Sequence, residues 1–168
     1  MLTEDLGEYL RLYDLWSQWK PEKPEGILIA HASIHGNTAY ASEALKSKLK
    51  GKGAQVTMCD LTATDLSYAV TSAFYCGKLV LACSTYDGGL FPPMKAFFGS
   101  FTDKGIPKPP DRPHGKRLMG PAAARLMRAE LEKMKELRLC ETDVSLRGAL
   151  NQTSEAQMDA LVAELCAE

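Results

Sequence analysis

The sequence predicts an α/β domain built on a doubly wound parallel sheet. Three observations carry the prediction. From residue 27 onward, strand-length apolar runs alternate with helix-length amphipathic segments. Leu79-Val80-Leu81-Ala82-Cys83 is apolar at every position, so both of its faces are buried, as in a parallel strand covered by helices on two sides. Gly26-Ile27-Leu28-Ile29-Ala30-His31-Ala32-Ser33-Ile34-His35-Gly36-Asn37-Thr38 passes from an apolar run through a short hydroxyl- and Gly-containing loop straight into an amphipathic segment. A chain of 168 residues with 45% hydrophobic content is large enough for one domain with a sizeable core.

Each element has its own signal. Leu6, Tyr9, Leu10, Tyr13 and Trp16 fall near helical spacing and predict a helix over 4–18. Lys20-Pro21-Glu22-Lys23-Pro24-Glu25-Gly26 is a linker, because two prolines cannot continue a helix. A strand over 27–32, a helix over 38–50, a Gly51-Lys52-Gly53 turn and a strand over 54–59 follow. Thr64 caps a helix over 64–75, and the strand 79–83 comes next. Prolines favour first helical positions, so Pro92-Pro93 opens a helix over 92–102 and Pro121 one over 121–136. A strand near 137–146 and a helix over 154–167 close the chain, the latter with a capping-box pattern at Ser154 and Gln157. The organisation is therefore a leading helix over 1–19, a linker over 20–26 and the main domain over 27–168.

Composition excludes several function classes. A net charge of −1 carries no nucleic-acid or membrane footprint. No apolar run spans a bilayer, and the N-terminus is acidic rather than signal-like. Cys59, Cys76, Cys83, Cys140 and Cys166 are odd in number and form no CxxC pair; several lie in apolar runs, where cysteine packs as a small hydrophobe. A reduced, cytoplasmic protein is expected. His31, His35 and His114 do not recur at ligand spacing with Cys or carboxylates, so no metal is expected, and His31 is expected to make an ordinary hydrogen bond at a strand end. No Ser-His-Asp or Cys-His arrangement stands out as catalytic. A receiver-type phosphoacceptor needs clustered acidic residues after the first strand, where this chain has His31 to His35.

In doubly wound sheets ligands bind at the carboxyl ends of the strands, near the point where the strand order reverses. After the first strand, the amides at a helix start have no intrahelical acceptor and the helix dipole adds partial positive charge, which makes an anion site. Ser33 and Thr38 add hydroxyl donors, and Gly36 supplies unusual backbone geometry. The same segment also reads as an ordinary β-to-α turn capped by Asn37 or Thr38. After the third strand, Ser84-Thr85-Tyr86-Asp87-Gly88-Gly89-Leu90-Phe91-Pro92-Pro93 combines a glycine pair with two aromatics. Tyr86, Leu90 and Phe91 offer faces to a flat ring, and Gly88 and Gly89 offer close backbone. Taken together, the two loops suggest a phosphorylated planar cofactor; taken alone, the second also reads as a turn whose aromatics cap the core.

Ser33-Ile34-His35-Gly36-Asn37-Thr38, followed by the Gly-Gly-Leu-Phe-Pro loop, resembles the flavodoxin-like domain of the flavodiiron (A-type flavoprotein) family. The resemblance runs from about Tyr9 to the C-terminus. Leu12-Tyr13-Asp14-Leu15-Trp16-Ser17 resembles the helix joining that family's diiron β-lactamase-like domain to its flavodoxin domain, and Pro121-Ala122-Ala123-Ala124-Arg125-Leu126-Met127 is similar as well. The resemblance implies sheet order 2-1-3-4-5 and non-covalently bound FMN. By position, Ser33, Ile34, His35, Gly36, Asn37 and Thr38 would hold the phosphate. Ser84, Thr85, Tyr86, Asp87, Gly88, Gly89 and Leu90 would border the isoalloxazine. It also implies an electron-transfer role, with a rubredoxin or a flavin reductase as donor and a diiron domain as acceptor; a homo-oligomer is compatible with it. An FMN-dependent NAD(P)H:quinone reductase would share these loops, and a non-functional gene fragment is the third reading.

Two departures stand out. The chain carries no His-x-Glu-x-Asp metal pattern, so oxygen or nitric oxide reduction at a diiron centre lies outside its own residues. Between Gly105 and Gly120, Pro107, Pro109, Pro110 and Pro113 with several charges replace the family's apolar fourth strand and its Glu-Asn-Gly-Ser-Trp loop, the third wall of the FMN site. A reading one base later permits Met-Glu-Asn-Gly-Ser-Trp-Ala across His114 to Gly120, so we read this segment as out of frame, the alternative being a genuine, diverged Pro-rich loop. The expectation is a sheet without its fourth strand and weakened flavin binding.

Overall fold

The computed structural model describes residues 6–18, 20–103, 115–119, 121–133 and 138–167. At its centre is a five-stranded parallel sheet. The strands are β1 (Lys23–Ala32), β2 (Val56–Asp60), β3 (Cys76–Cys83), β6 (Gly115–Met119) and β7 (Arg138–Leu139), in the order β2-β1-β3-β6-β7. A small antiparallel pair, β4 (Thr85–Tyr86) and β5 (Gly89–Leu90), stands apart from it. The helices are α1 (Gly7–Ser17), α2 (Asn37–Gly51), α3 (Leu66–Tyr75), α4 (Pro92–Asp103), α5 (Pro121–Lys133) and α6 (Gln152–Cys166).

Side chains alternate across a strand, and here both faces are apolar. Leu28, Ala30, Ala32, Leu79, Leu81 and Cys83 face one core, which α3, α4 and α5 complete with Val70, Phe97 and Met127. Ile27, Ile29, Val80 and Ala82 face the other, completed by Leu45 and Leu49 of α2 and Leu161 and Leu165 of α6. The result is the three-layer, doubly wound architecture expected from the alternation of elements.

The fourth strand is the principal correction. β6 pairs in parallel with β3, Leu79 opposite Lys116 through Ala82 opposite Met119, and on its other side with β7. Proline removes only its own ladder N–H. The four prolines end at Pro113, two residues before β6 begins, so nothing bars a five-residue strand after them. Pro107 to Pro113 and His114 themselves lie outside the described residues.

Smaller corrections have local causes. β1 begins at Lys23 rather than Ile27, and Pro24 is accommodated because the register shifts between Lys23 and Ile27, an irregularity of the kind where a strand tolerates proline. Asp65, not Thr64, caps α3: its carboxylate accepts the Ser67 N–H at 2.8 Å. α6 starts earlier, with Asn151 as cap and Ser154 as its capping-box partner, while the Gln157 side chain accepts the Ser145 N–H instead. The strand near 137–146 shrinks to β7. Beyond it, one guanidinium nitrogen of Arg128 donates to both Asp143 carboxylate oxygens at 3.0 Å and to the Cys140 carbonyl at 3.3 Å, pinning the connection to α6. All five cysteines are free thiols, and all but Cys166 are buried.

Candidate functional site

The loops after β1 and β3 meet at the carboxyl end of the sheet. The first makes its turn at Gly36, whose φ of +85° is a left-handed conformation that side chains resist; a Cβ there would meet no atom within 4 Å. Glycine is needed here for conformation, not for space. The Gly36 N–H donates to Ser33 Oγ at 3.1 Å. Gly36 is also the residue preceding α2, and no side chain caps that helix, so the expected Asn37 or Thr38 cap does not form. The amides of its first turn have no intrahelical acceptor.

Ser84 ties the loops together. Its Oγ accepts the Ile34 N–H at 3.3 Å and lies 3.1 Å from Thr38 Oγ1. The Ser84 N–H donates to the Ala32 carbonyl at 3.0 Å, extending the β1–β3 ladder by one bond. The two hydroxyls hold two hydrogens, and their mutual bond uses one, whichever group donates. The other is left to offer an incoming acceptor, beside the uncapped helix start. Ser84 therefore belongs with the Ser33–Thr38 loop as much as with the glycine-rich hairpin. Residue spacing carries no signal of this, because the bridge spans 46 to 50 positions in the chain.

The remaining residues after β3 form a hairpin. β4 and β5 pair Thr85 with Leu90 and Tyr86 with Gly89. Asp87 and Gly88 between them both have positive φ, +47° and +69°, as a two-residue hairpin turn of the primed type requires. Gly89 is under no such demand: an added Cβ would meet only the Tyr86 carbonyl, at 3.6 Å. Tyr86 is 54% exposed, and its ring packs 5.9 Å from that of Phe91, tilted by 52°. Leu90 and Phe91 pack against the core below. The structure thus brings together an anion-type cradle at 33–38, a bridging hydroxyl at Ser84 and an exposed aromatic at Tyr86. Burial pushes the neighbouring Cys83 thiol up to about 11, so it stays protonated, and its Sγ donates to the Ser84 carbonyl.

His31 departs from expectation. It is buried at the end of β1, on the α2 side of the sheet, yet its Nδ1 has no hydrogen-bond partner; Asp60 Oδ1 is 3.9 Å away. Asp60 Oδ1 is instead engaged by the Thr62 N–H and hydroxyl. Burial lowers the His31 pKa, opposed by the Asp60 and Glu43 charges. Among the described residues no cluster of His, Cys, Asp and Glu could hold a metal, and no helix is long and apolar enough to cross a membrane.

β6 ends at Met119 and α5 begins at Pro121.

No family model and no curated protein matches the sequence. Solved structures do match in fold. Rubredoxin oxygen:oxidoreductase from the anaerobe Desulfovibrio gigas superposes with a TM-score of 0.77 at 13% identity, over 95% of this chain and 40% of that one. The flavodiiron protein from Giardia intestinalis gives 0.74 at 16% identity, over 98% and 41%. A flavodoxin from Pseudomonas aeruginosa, in a cysteine-to-alanine mutant form, gives 0.66 at 16% identity, over 84% and 97%. This chain thus spans about two fifths of the two longer proteins and nearly the whole of the flavodoxin. At these identities the likeness establishes a flavodoxin-like fold.

Proposed function

We propose that this chain is an FMN-binding electron-transfer module of the flavodiiron type. The observation that carries the reading is the Ser84 bridge, which joins an uncapped helix start to a glycine-rich aromatic hairpin at the carboxyl end of a flavodoxin-like sheet. The residues fit the group. The amides of Asn37 and Thr38, with the unspent hydrogen of the Thr38–Ser84 pair, would receive the phosphate. Tyr86 and the backbone at Gly88 and Gly89 would border the ring, with Asp87 at the hairpin tip. Bound FMN supplies the redox chemistry; the protein binds, orients and tunes it.

The matched flavodiiron structures are much longer than this chain. On this reading α1 is a joining helix, a diiron domain is the electron acceptor, a rubredoxin or flavin reductase is the donor, and the setting is cytoplasmic. A second reading, an FMN-dependent quinone reductase, would use the same two loops, with Tyr86, 54% exposed on the hairpin, open to a planar substrate. The coding sequence across residues 105–120 tests the out-of-frame reading separately.

The deciding experiment titrates the full chain with FMN and follows the flavin bands and fluorescence quenching. Structured, shifted bands with quenching are the expected result. A folded chain that leaves FMN unperturbed at about 1 mM overturns the proposal. NADH–quinone turnover by the loaded protein would move the assignment to the second reading.

A further inference from the structure

The carboxyl ends of β1 and β2 hold a buried polar group that the loops at 33–38 and 84–90 do not use. His31 is 3% exposed, and its Nδ1 meets no partner. A buried polar atom left unpaired is costly, which points to a second state in which it is paired. Asp60 stands in register opposite His31 on β2, with Oδ1 at 3.9 Å, beyond hydrogen-bond reach. That oxygen accepts the Thr62 N–H at 2.9 Å and the Thr62 hydroxyl at 2.6 Å, which occupies both of its lone pairs. The Asp60 side chain is 42% exposed and has room to turn. The turn beneath it does not depend on the carboxylate, because the Asp60 carbonyl accepts the Ala63 and Thr64 N–H groups at 3.1 and 2.7 Å.

We propose that His31, Asp60 and Thr62 form a proton-operated switch: when the ring takes a proton from solvent, the Asp60 carboxylate turns to accept the Nδ1–H and releases the Thr62 hydroxyl. A neutral imidazole cannot outbid two Thr62 donors for one oxygen. An imidazolium can, since a bond between two charged groups is stronger than one from a neutral hydroxyl. Thr62 is exposed, so its hydroxyl turns to water, whereas the buried ring has no such alternative. The other charge facing His31 is Glu43 of α2, itself bonded to Lys46; β3 places Ala82 in register, and α6 brings apolar Met158 and Leu161 to the same core. Burial disfavours the charged ring against the pull of Asp60 and Glu43, so the switch works below the ordinary histidine value of 6.5. The Leu61 N–H already donates to the His31 carbonyl at 2.8 Å, so side-chain bonds are exchanged while strand register holds. Acid therefore ties the β1–β2 edge more tightly two residues before the Ser33 turn, and loosens the connection from β2 to α3 at Thr62.

A pH titration of the full chain by two-dimensional NMR, from about pH 8 to about pH 5, tests this. The His31 ring and the Thr62 amide and methyl signals should titrate with one shared midpoint below 6.5. Thr62→Val keeps the amide and removes the competing hydroxyl, so the proton affinity of His31 should rise by about 3- to 10-fold, and Thr62→Ser should return it to the parent value. Asp60→Asn should lower the His31 midpoint and abolish the response at Thr62. Glu43→Gln removes a charge that takes no part in the exchange; the midpoint should fall while Thr62 still follows the ring. An unchanged His31 midpoint in Thr62→Val overturns the proposal, because the field of a charged ring would move the Thr62 signals without any competition for the carboxylate. Thr62 signals that stay still while His31 titrates overturn it as well.

Discussion

Ser84→Ala separates a role at the phosphate from a role at the ring. The hydroxyl accepts the Ile34 N–H at 3.3 Å and pairs with Thr38 Oγ1 at 3.1 Å. Removing it leaves a half-buried backbone donor without its acceptor and unties Thr38, so one hydroxyl hydrogen is still available to a phosphate oxygen but the contact that orients it is lost. A buried donor left without its acceptor costs about 1–3 kcal/mol, and a neutral loop contact contributes about 0.5–1.5 kcal/mol. A fall in FMN affinity of about 10- to 100-fold is therefore expected. Riboflavin, which has the ring and lacks the phosphate, should bind the variant as well as it binds the parent. Ser84→Thr keeps a hydroxyl on the same carbon and should recover most of the loss. The assay is a pair of fluorescence-quenching titrations, read as the ratio of riboflavin to FMN dissociation constants. That ratio should shrink for Ser84→Ala and stay constant for Tyr86→Ala, where both affinities fall together. Equal losses for FMN and riboflavin on Ser84→Ala would refute the reasoning and return Ser84 to the ring.

Other expectations concern tuning and stability. Asp87→Asn keeps a side chain that tolerates positive φ and removes a negative charge from the hairpin tip; the flavin midpoint potential should rise in spectroelectrochemical titration, and an unchanged or lower potential would separate Asp87 from the ring. Gly77→Ala would drive a Cβ into the Pro24 carbonyl, backbone that cannot swing aside, so urea denaturation should show a loss of more than about 4 kcal/mol. Gly51→Ala, with nothing within 4 Å and no positive φ, should be neutral or stabilising by up to about 1 kcal/mol in the same assay. His31 is held below its ordinary pKa of 6.5 chiefly by burial, so the unfolded chain binds the more protons between the two values. Its contribution is full above pH 6.5 and is lost as pH falls from there through the folded-state value; His31→Gln should flatten that part of the stability–pH curve measured by denaturant titration.

The sheet was legible where one physical cause acts alone. The fully apolar run at Leu79 to Cys83 can only be a strand buried on both faces, and Pro92 and Pro121 open helices because a first-turn position does not need their N–H. β6 was not legible, because four prolines dominate the composition of the window while blocking only their own positions upstream of the strand. Asp65 and Asn151 replaced the expected caps because several cap-competent residues stand side by side, and tertiary placement of the helix chooses among them. At the site, Gly36 was visible as a position of unusual backbone geometry, whereas the glycine pair singled out was Gly88-Gly89 and the positive φ angles fall on Asp87 and Gly88. The Ser84 bridge was not visible, since it depends on strand register: Ala32 aligns with Cys83, and the next residue of each strand enters its loop.

That register also ties the two loops to the core beneath them. The ladder from Ile27–Lys78 to Ala32–Cys83 runs in step over six consecutive pairs, with Ala30, Ala32, Ala82 and Cys83 packed against helices on either side. A one-residue slip would reverse every one of these side chains between the two cores, so register is strongly enforced. Ser84 consequently arrives opposite Ser33 as the next position of a buried ladder, and the cradle inherits the rigidity of the sheet. The hairpin at Thr85–Leu90 is different: it is tied down through Leu90 and Phe91, while Tyr86 remains half exposed. A ligand held here would be anchored firmly at its anionic end and bordered by a more adjustable aromatic at the other. Ring affinity should then respond to substitutions at Tyr86 and Phe91, while phosphate affinity responds to anything that shifts β1 against β3.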